Sequence, residues 1–204
     1  MLSTRQKILC EARNIFNTKG YNEVSLRDIS KACGISIGNL TYHFKKKEDL
    51  IIEIQDDIYN DLSSILVLDT DYSLKNILSR FQQISINQQN YNYYFRNSLE
   101  LSRAYNSIKE KQIVIRHNMF KYYSNSFKAL VEKGIFREDI SSRNYDSLAF
   151  SLIFQHTLWY ENDSPSYDEL FKSINFLQYL HDLICPYFTD EGNKAFRELI
   201  KEEN

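Results

Sequence analysis

The chain has 204 residues, of which 43% are apolar and 25% are charged, a balance that is ordinary for a globular protein and argues against disorder. Its five glycines and two prolines are fewer than a turn-rich β-protein needs, so the composition predicts an all-α fold. The first residues lack the pattern of a secretory signal, and the longest strongly apolar run, near residues 147–154, is too short to cross a membrane. We therefore expect a cytoplasmic protein that makes no contact with a membrane.

Charge is distributed unevenly along the chain. Residues 1–50 contain nine lysines and arginines and five acidic residues, which gives this segment a net charge of +4 and leaves −6 for the remainder. A basic segment joined to an acidic one suggests that the basic segment meets a polyanion.

Local signals in the basic segment predict three helices. Apolar spacing places the first from Thr4 to Lys19, and Gly20 ends it. Ser25 begins the second helix, in a capping box with the acidic residue three positions later. Gly34 makes a tight turn, and a third helix runs to His43. Two short helices around such a turn indicate a helix-turn-helix.

The stretch Gly34-Ile-Ser-Ile-Gly38 allows a second interpretation. G-x-S-x-G is also the nucleophile elbow of α/β-hydrolases, where the serine lies on a strand-to-helix turn. The residues before Gly34 have a helix cap and helical spacing rather than a strand pattern, so we favour Ser36 as the cap of the third helix over Ser36 as a nucleophile. We accordingly predict no enzymatic activity.

The third helix is predicted to turn a small, polar face outward. If Leu40 points to the core, 100° steps leave Gly38, Asn39, Thr41 and Tyr42 on the opposite side. Such a face packs poorly but suits entry into a groove. A mid-helix glycine costs roughly 0.5–1 kcal/mol, and close approach to another surface explains Gly38.

These motifs resemble the N-terminal domain of the TetR family of bacterial transcriptional regulators. The matching patterns are T-R-x-x-I-L, F-x-x-x-G-Y, S-x-R-D-I, A-x-G-I-S-x-G-x-L-x-Y-H-F and K-x-E-x-L, in order along residues 4–50. The resemblance implies that the third helix enters the major groove of double-stranded DNA, while the second helix and the start of the fourth contact the backbone. Phosphate contacts would come from Ser25, Arg27, Tyr42, His43, Lys45 and Lys47. Base edges would face Ile37, Gly38, Asn39 and Thr41, with Ser36 at the start of the same surface.

The sequence departs from the family pattern at two positions. Thr41 stands where the family more often has tyrosine, which puts one phosphate contact in doubt. Lys46 stands where a serine or asparagine often caps the fourth helix.

Residues 51–204 are predicted to form a helical ligand-binding and dimerisation domain, joined by a continuous helix to the helix-turn-helix domain of residues 1–50. Helices near 143–160 and 166–184 are apolar on nearly all sides, which predicts a homodimer through them. The family resemblance implies a small-molecule effector in this domain. Polar groups in aromatic surroundings are the candidate ligand contacts: Arg96, Arg103, His117 and His156.

We predict no cofactor and no metal site. His181 and Cys185 have an i, i+4 spacing that could bind a metal, but no clear third ligand accompanies them, so packing is the better interpretation.

The leading hypothesis is a dimeric regulator that binds a palindromic operator and is released by its effector, hence a repressor. Two alternatives stay open at this stage: a helical protein-interaction module that does not bind DNA, and, with little support, a serine hydrolase that uses Ser36.

Overall fold

A computed structural model describes residues 2–67, 71–158 and 176–202. Within these ranges the chain forms eleven α-helices and one short 3₁₀ helix, with no β-strand, so the predicted all-α fold is confirmed. The helices are α1 (Thr4–Lys19), α2 (Leu26–Ala32), α3 (Ile37–His43), α4 (Lys47–Val67), α5 (Leu74–Asn90), α6 (Asn92–Arg96), α7 (Ser98–Ala104), α8 (Asn106–Glu132), α9 (Ser142–Leu158), α10 (Phe176–Ile184) and α11 (Asp190–Glu202); the 3₁₀ helix is Cys185–Tyr187.

Helices α1 to α3 form the head (residues 1–50), and their predicted ends are confirmed. Gly20 and Gly34 have positive φ values of 84° and 67°, which explains glycine at both turns. Ser25 accepts a hydrogen bond from the Asp28 N–H, and the Asp28 carboxylate accepts one from the Ser25 N–H, which completes the capping box. Ser36 caps α3 by accepting from the Asn39 N–H at 3.1 Å.

Residues 51–204, which contain most of α4 and the helices after it, form the body, and its centre is the long helix α8. Helix α8 packs against α4, α7 and α9. A run of aromatic rings fills the core on one side of it: Phe81 stacks on Tyr123 at 5.1 Å between ring centroids, and Phe127 lies 5.5 Å from Phe136. Much of the aromatic content of the body is therefore core.

The C-terminal helix α11 is anchored to the end of α8 through a buried glycine. The Thr189 hydroxyl donates to the Gly134 carbonyl at 2.7 Å and accepts from the Gly192 N–H at 3.0 Å, which caps α11. A Cβ atom on Gly192 would overlap the carbonyl oxygen of Ile135 and the ring of Phe188. Only glycine allows this close approach.

Helix α4 runs without interruption from the head into the body, since it begins at Lys47 and ends at Val67. Buried residues along it, from Leu50 to Leu66, belong to one apolar core shared by both parts. The continuous connecting helix that the sequence predicts is confirmed. No helix in the described ranges is long and apolar enough to cross a membrane.

The structure describes only part of the two helices that are predicted to form a dimer interface. Helix α9 is described from Ser142 to Leu158 and the second from Phe176 to Ile184, and residues 159–175 lie outside the described residues. One side of α9 is buried within the chain, through Leu148 and Leu152 among others. Its opposite side exposes the rings of Phe150 and Phe154, 4.9 Å apart.

Candidate nucleic-acid interface and ligand cavity

Helix α3 is held by its inner side and presents its outer side to solvent. Leu40 is fully buried, and Phe44, which follows the helix, is 1% exposed. Tyr42 is 84% exposed and Ile37 is 41% exposed. Ser36, Gly38 and Asn39 are exposed as well, and Thr41 and His43 are half-buried. The inner and outer sides follow the helical geometry expected from the sequence.

Two details fit α3 for contact with another surface. A Cβ on Gly38 would meet only the Ser36 hydroxyl, at 3.9 Å, so nothing within the chain requires glycine there. The Thr41 hydroxyl donates to the carbonyl of Ile37 at 3.0 Å, which holds its methyl group in a fixed direction.

Ser36 lies in a turn between two helices, because α2 precedes it and α3 follows it. A nucleophile elbow needs a strand before the turn. The Ser36 hydroxyl accepts the cap hydrogen bond of α3, so the geometry is that of a helix cap.

The candidate phosphate contacts outside α3 are exposed to solvent, with one exception. Ser25, Arg27, Lys45 and the neighbouring Lys46 are exposed. Lys47 has a different role from the predicted one. Its ammonium donates to the carbonyls of Tyr21 at 2.8 Å and Val24 at 2.9 Å, and it lies 4.3 Å from the centre of the Tyr21 ring. Burial lowers the pKa of Lys47 from its ordinary value. The side chain fastens the start of α4 to the connector between α1 and α2.

The start of α4 is capped although Lys46 lacks a capping side chain. The Asp49 carboxylate accepts from the Lys46 N–H at 3.0 Å, which is the returning half of a capping box. The doubt that Lys46 raised about this helix start is resolved by Asp49.

Arg5 holds the end of α3 in place, a role that the sequence reasoning did not assign. Its guanidinium donates to the His43 carbonyl at 2.8 Å, pairs with the Glu53 carboxylate and lies 4.2 Å from the centre of the Phe44 ring. Helices α1, α3 and α4 are thereby tied together at one residue.

The head is joined to the body by hydrogen bonds from α1. The Asn17 amide donates to the Asn90 carbonyl at 2.9 Å and accepts from the Tyr93 N–H at 3.1 Å. It therefore spans the junction between α5 and α6. The ring of Phe16 packs against that of Tyr93, 5.1 Å away.

Two tyrosines reinforce the junction. The Tyr91 hydroxyl accepts from Arg13 at 3.5 Å and donates to Asp61 at 3.1 Å. Burial, and then the Asp61 charge, raises the pKa of Tyr91 to about 12, so the phenol keeps its proton at neutral pH. The hydroxyls of Tyr21 and Tyr105 lie 3.3 Å apart, which links the connector of the head to the turn between α7 and α8.

A cavity lies between α4, α5, α6, α7 and α8, directly behind this junction. Its free volume is about 40 Å³, room for one or two water molecules, so a larger ligand must widen it. The apolar part of its lining is Ile58, Leu62, Ile84, Phe95, Ile115 and Met119.

The polar part of the lining contains amides, hydroxyls and one cation. The Gln112 amide donates to the Tyr94 hydroxyl at 3.1 Å and to the Ser98 carbonyl at 3.2 Å. Burial raises the pKa of Tyr94 to about 12. Gln88 and Arg116 complete this part of the lining, and Arg116 is exposed.

Three of the four residues predicted to bind the ligand, all of them described, do not line this cavity. Arg96, Arg103 and His117 are exposed on α6, α7 and α8, because each points away from the side of its helix that packs inward. His156 is near the end of α9, and its side chain lies outside the described residues. His181, which was weighed with Cys185 as a possible metal ligand, has a packing contact: its ring lies 4.6 Å from that of Phe196.

A signal for the cavity is present in the sequence. Ile108, Gln112, Ile115 and Met119 follow each other along one buried side of α8, and Gln112 is the polar member of that apolar series. An amide at such a position indicates either an internal hydrogen bond or a cavity.

Comparisons with known proteins agree with this architecture. The model of bacterial regulatory proteins of the tetR family matches residues 8–54. The HTH-type transcriptional regulator QacR of Staphylococcus aureus is 30% identical over 144 residues, which cover 59% of this chain and 70% of QacR. The chain belongs to the TetR family.

Other TetR-family members resemble the chain at greater distance. The probable HTH-type transcriptional regulator YttP of Bacillus subtilis is 27% identical over 139 residues, and the match spans 65% of each protein, a little under two thirds. A TetR-family regulator from Marinobacter aquaeolei has the same fold, with a TM-score of 0.84 over 98% of both chains at 20% identity. The TetR fold therefore extends through the body, where sequence similarity is weak.

Proposed function

We propose that this protein is a dimeric repressor of the TetR family that binds a palindromic operator in the cytoplasm and leaves it when a small molecule enters the cavity of the body. The observation that carries the proposal is the outward side of α3, where Tyr42 is 84% exposed beside the small residues Gly38 and Asn39. A polar, protruding helix side within a basic segment suits the major groove.

In this proposal the DNA contacts divide into two sets. Ile37, Gly38, Asn39 and Thr41 face base edges, with Ser36 at the edge of the surface. Ser25, Arg27, Tyr42, His43 and Lys45 hold phosphates, and exposed Lys46 joins them in place of Lys47. Phosphate contacts supply affinity and position, while base contacts supply specificity.

Dimerisation supplies the second head. The rings of Phe150 and Phe154 are 58% and 51% exposed on one side of α9, an apolar surface that a second copy would cover. A two-fold dimer presents two α3 helices to two operator half-sites.

The junction between head and body offers a route for the effector signal. Tyr94 lines the cavity, while its neighbours Tyr93 and Tyr91 contact α1. A ligand that widens the cavity would shift α6 and, through Asn17, would change the angle of the head. The division into residues 1–50 and 51–204 is proposed as a division of function. It does not separate two structural units, because α4 belongs to both parts.

The test is binding of a labelled DNA fragment from upstream of the protein's own gene, measured by fluorescence anisotropy at several salt concentrations. We expect binding that weakens as salt rises and that is lost in Tyr42→Ala. The matched control is Ile86→Ala, an exposed apolar residue of the body, which should bind like the parent. Absent binding to this and neighbouring promoters, or binding that ignores salt, would refute the proposal.

A further inference from the structure

The chemistry of the cavity indicates which class of molecule it accepts. We infer that the effector is an apolar molecule with an anionic head, of the kind represented by a medium-chain carboxylate, and that Arg116 binds the head. The inference rests on the proposed function for its regulatory consequence, but the binding site itself can be tested separately.

The charge of the cavity lining is the first reason to expect an anionic ligand. Among the lining residues that the structure describes, Arg116 is the one charged side chain. It makes no ion pair with any residue in the described ranges. Its own helix has Gln112 one turn before it and Phe120 one turn after it, so no neighbouring carboxylate neutralises it along α8. An anionic group at this point would gain a charge-assisted hydrogen bond.

The position of Arg116 relative to the apolar cavity wall is the second reason, because it matches a ligand with one charged end. The residue is exposed, whereas Leu62, Ile84 and Ile115 on the cavity wall are buried. A guanidinium at the mouth and aliphatic side chains within match a molecule whose charged end stays near water while its chain enters. Burying the charged end instead would leave it unpaired at high cost.

The polar groups described inside the cavity carry no negative charge that would attract a cation. The Tyr94 phenol is neutral at neutral pH, and burial raises its pKa further, to about 12. The Gln112 amide nitrogen already donates to Tyr94 and Ser98. An amine entering this space would meet the positive charge of Arg116, and the described part of the lining offers it no carboxylate.

The experiment uses the full chain and three probes of equal chain length: decanoate, decanol and decylamine. Isothermal titration calorimetry measures binding to the parent, to Arg116→Gln and to the control Arg103→Gln, an exposed arginine outside the cavity. We expect decanoate to bind the parent about tenfold more tightly than decanol, and Arg116→Gln to remove that advantage. Decanol affinity should stay unchanged in Arg116→Gln, and Arg103→Gln should behave like the parent.

A charge-reversed variant separates loss of binding from loss of folding, because a misfolded protein would not show a reversed preference between two probes. Arg116→Glu should bind decylamine more tightly than decanoate. Failure of decanoate to bind the parent, equal binding of decanol, or an unchanged decanoate affinity in Arg116→Gln would overturn the inference.

Operator binding by the ligand-free parent is measured in the same samples. If that binding is absent while decanoate still depends on Arg116, the proposed function fails and the ligand class stands. If the operator binds but decanoate does not, the inference alone fails.

Discussion

Lys45 and Lys47 are two residues apart, and the structure predicts opposite effects for them. Lys45 is exposed beside α3, whereas Lys47 is half-buried and bonded to backbone carbonyls. We therefore compare Lys47→Met with Lys45→Met, because methionine keeps most of the aliphatic stem and removes the charge.

The magnitude for Lys47→Met follows from its contacts. The two short hydrogen bonds of the Lys47 ammonium, to the Tyr21 and Val24 carbonyls, contribute about 1.5–3 kcal/mol each; the longer one to the Asn22 carbonyl at 3.5 Å adds little, and the contact with the Tyr21 ring adds about 0.5–1 kcal/mol. Water reaches this half-buried site and recovers part of the loss, so we expect a destabilisation of about 2 kcal/mol. For a chain of this size the melting temperature should fall by about 4–8 °C, measured by circular dichroism.

Lys45→Met should instead leave the melting temperature unchanged and weaken operator binding. Each phosphate contact contributes about 0.9 to the slope of log affinity against log salt concentration. A dimer carries two copies of Lys45, so the slope should become shallower by about 2. If Lys47→Met melted like the parent but lost this amount of slope, Lys47 would be the phosphate ligand and our reasoning would be wrong.

Four further substitutions test other parts of the chain. Gly38→Ala should stabilise the protein by about 0.5–1 kcal/mol yet weaken operator binding, and unimpaired operator binding would contradict the role of that glycine. Gly192→Ala should destabilise the protein by about 1–3 kcal/mol, because its Cβ would overlap the Ile135 carbonyl. Thermal melts measure both changes in stability, and fluorescence anisotropy measures operator binding. Phe154→Glu should raise the dimer dissociation constant about a hundredfold, and sedimentation equilibrium that still shows a tight dimer would exclude α9 from the interface. Tyr91→Phe removes the hydrogen bonds of that hydroxyl to Arg13 and Asp61. It should bind the operator like the parent but reduce the effector's influence on that binding about fivefold, because the bond to Arg13, which joins α1 to the body, contributes about 1 kcal/mol; an unchanged response to the effector would show that these bonds carry no signal.

The head could be predicted closely because its signals are local. Ser25 and its capping partner are three residues apart, and so are Ser36 and Asn39. Gly20 and Gly34 need positive φ for reasons of backbone geometry alone. Each of these features depends on a few neighbouring residues, so the sequence contains all the information needed.

Lys47 and Arg5 could not be placed in this way. The partners of Lys47 lie 23 and 26 residues earlier in the chain, and the His43 carbonyl lies 38 residues from Arg5. A lysine that follows two exposed lysines has no local feature to distinguish it from them. Its role depends on how α1, α2 and α4 pack.

The cavity was missed for a related reason. Arginines and histidines among aromatic residues were predicted to orient the ligand, but Arg103 and His117 are on the outer sides of their helices. A helical pattern predicts which residues share a side, but it does not predict where five helices leave a gap. Gln112, a polar residue within a buried apolar series, was the more informative signal.

The hydrogen bonds that join α1 and the connector after it to the segment from the end of α5 to the start of α8 begin at Arg13, Asn17 and Tyr21, and the outward residues of α3 have no part in them. Substitutions at Asn39 or Thr41, the proposed base contacts, should therefore alter which operator is bound while the response to the effector is preserved. This separation would let duplicated copies of such a regulator acquire new target genes before they acquire a new inducer. Exchange of α3 between relatives is accordingly a practical way to rewire a genetic circuit built on this protein.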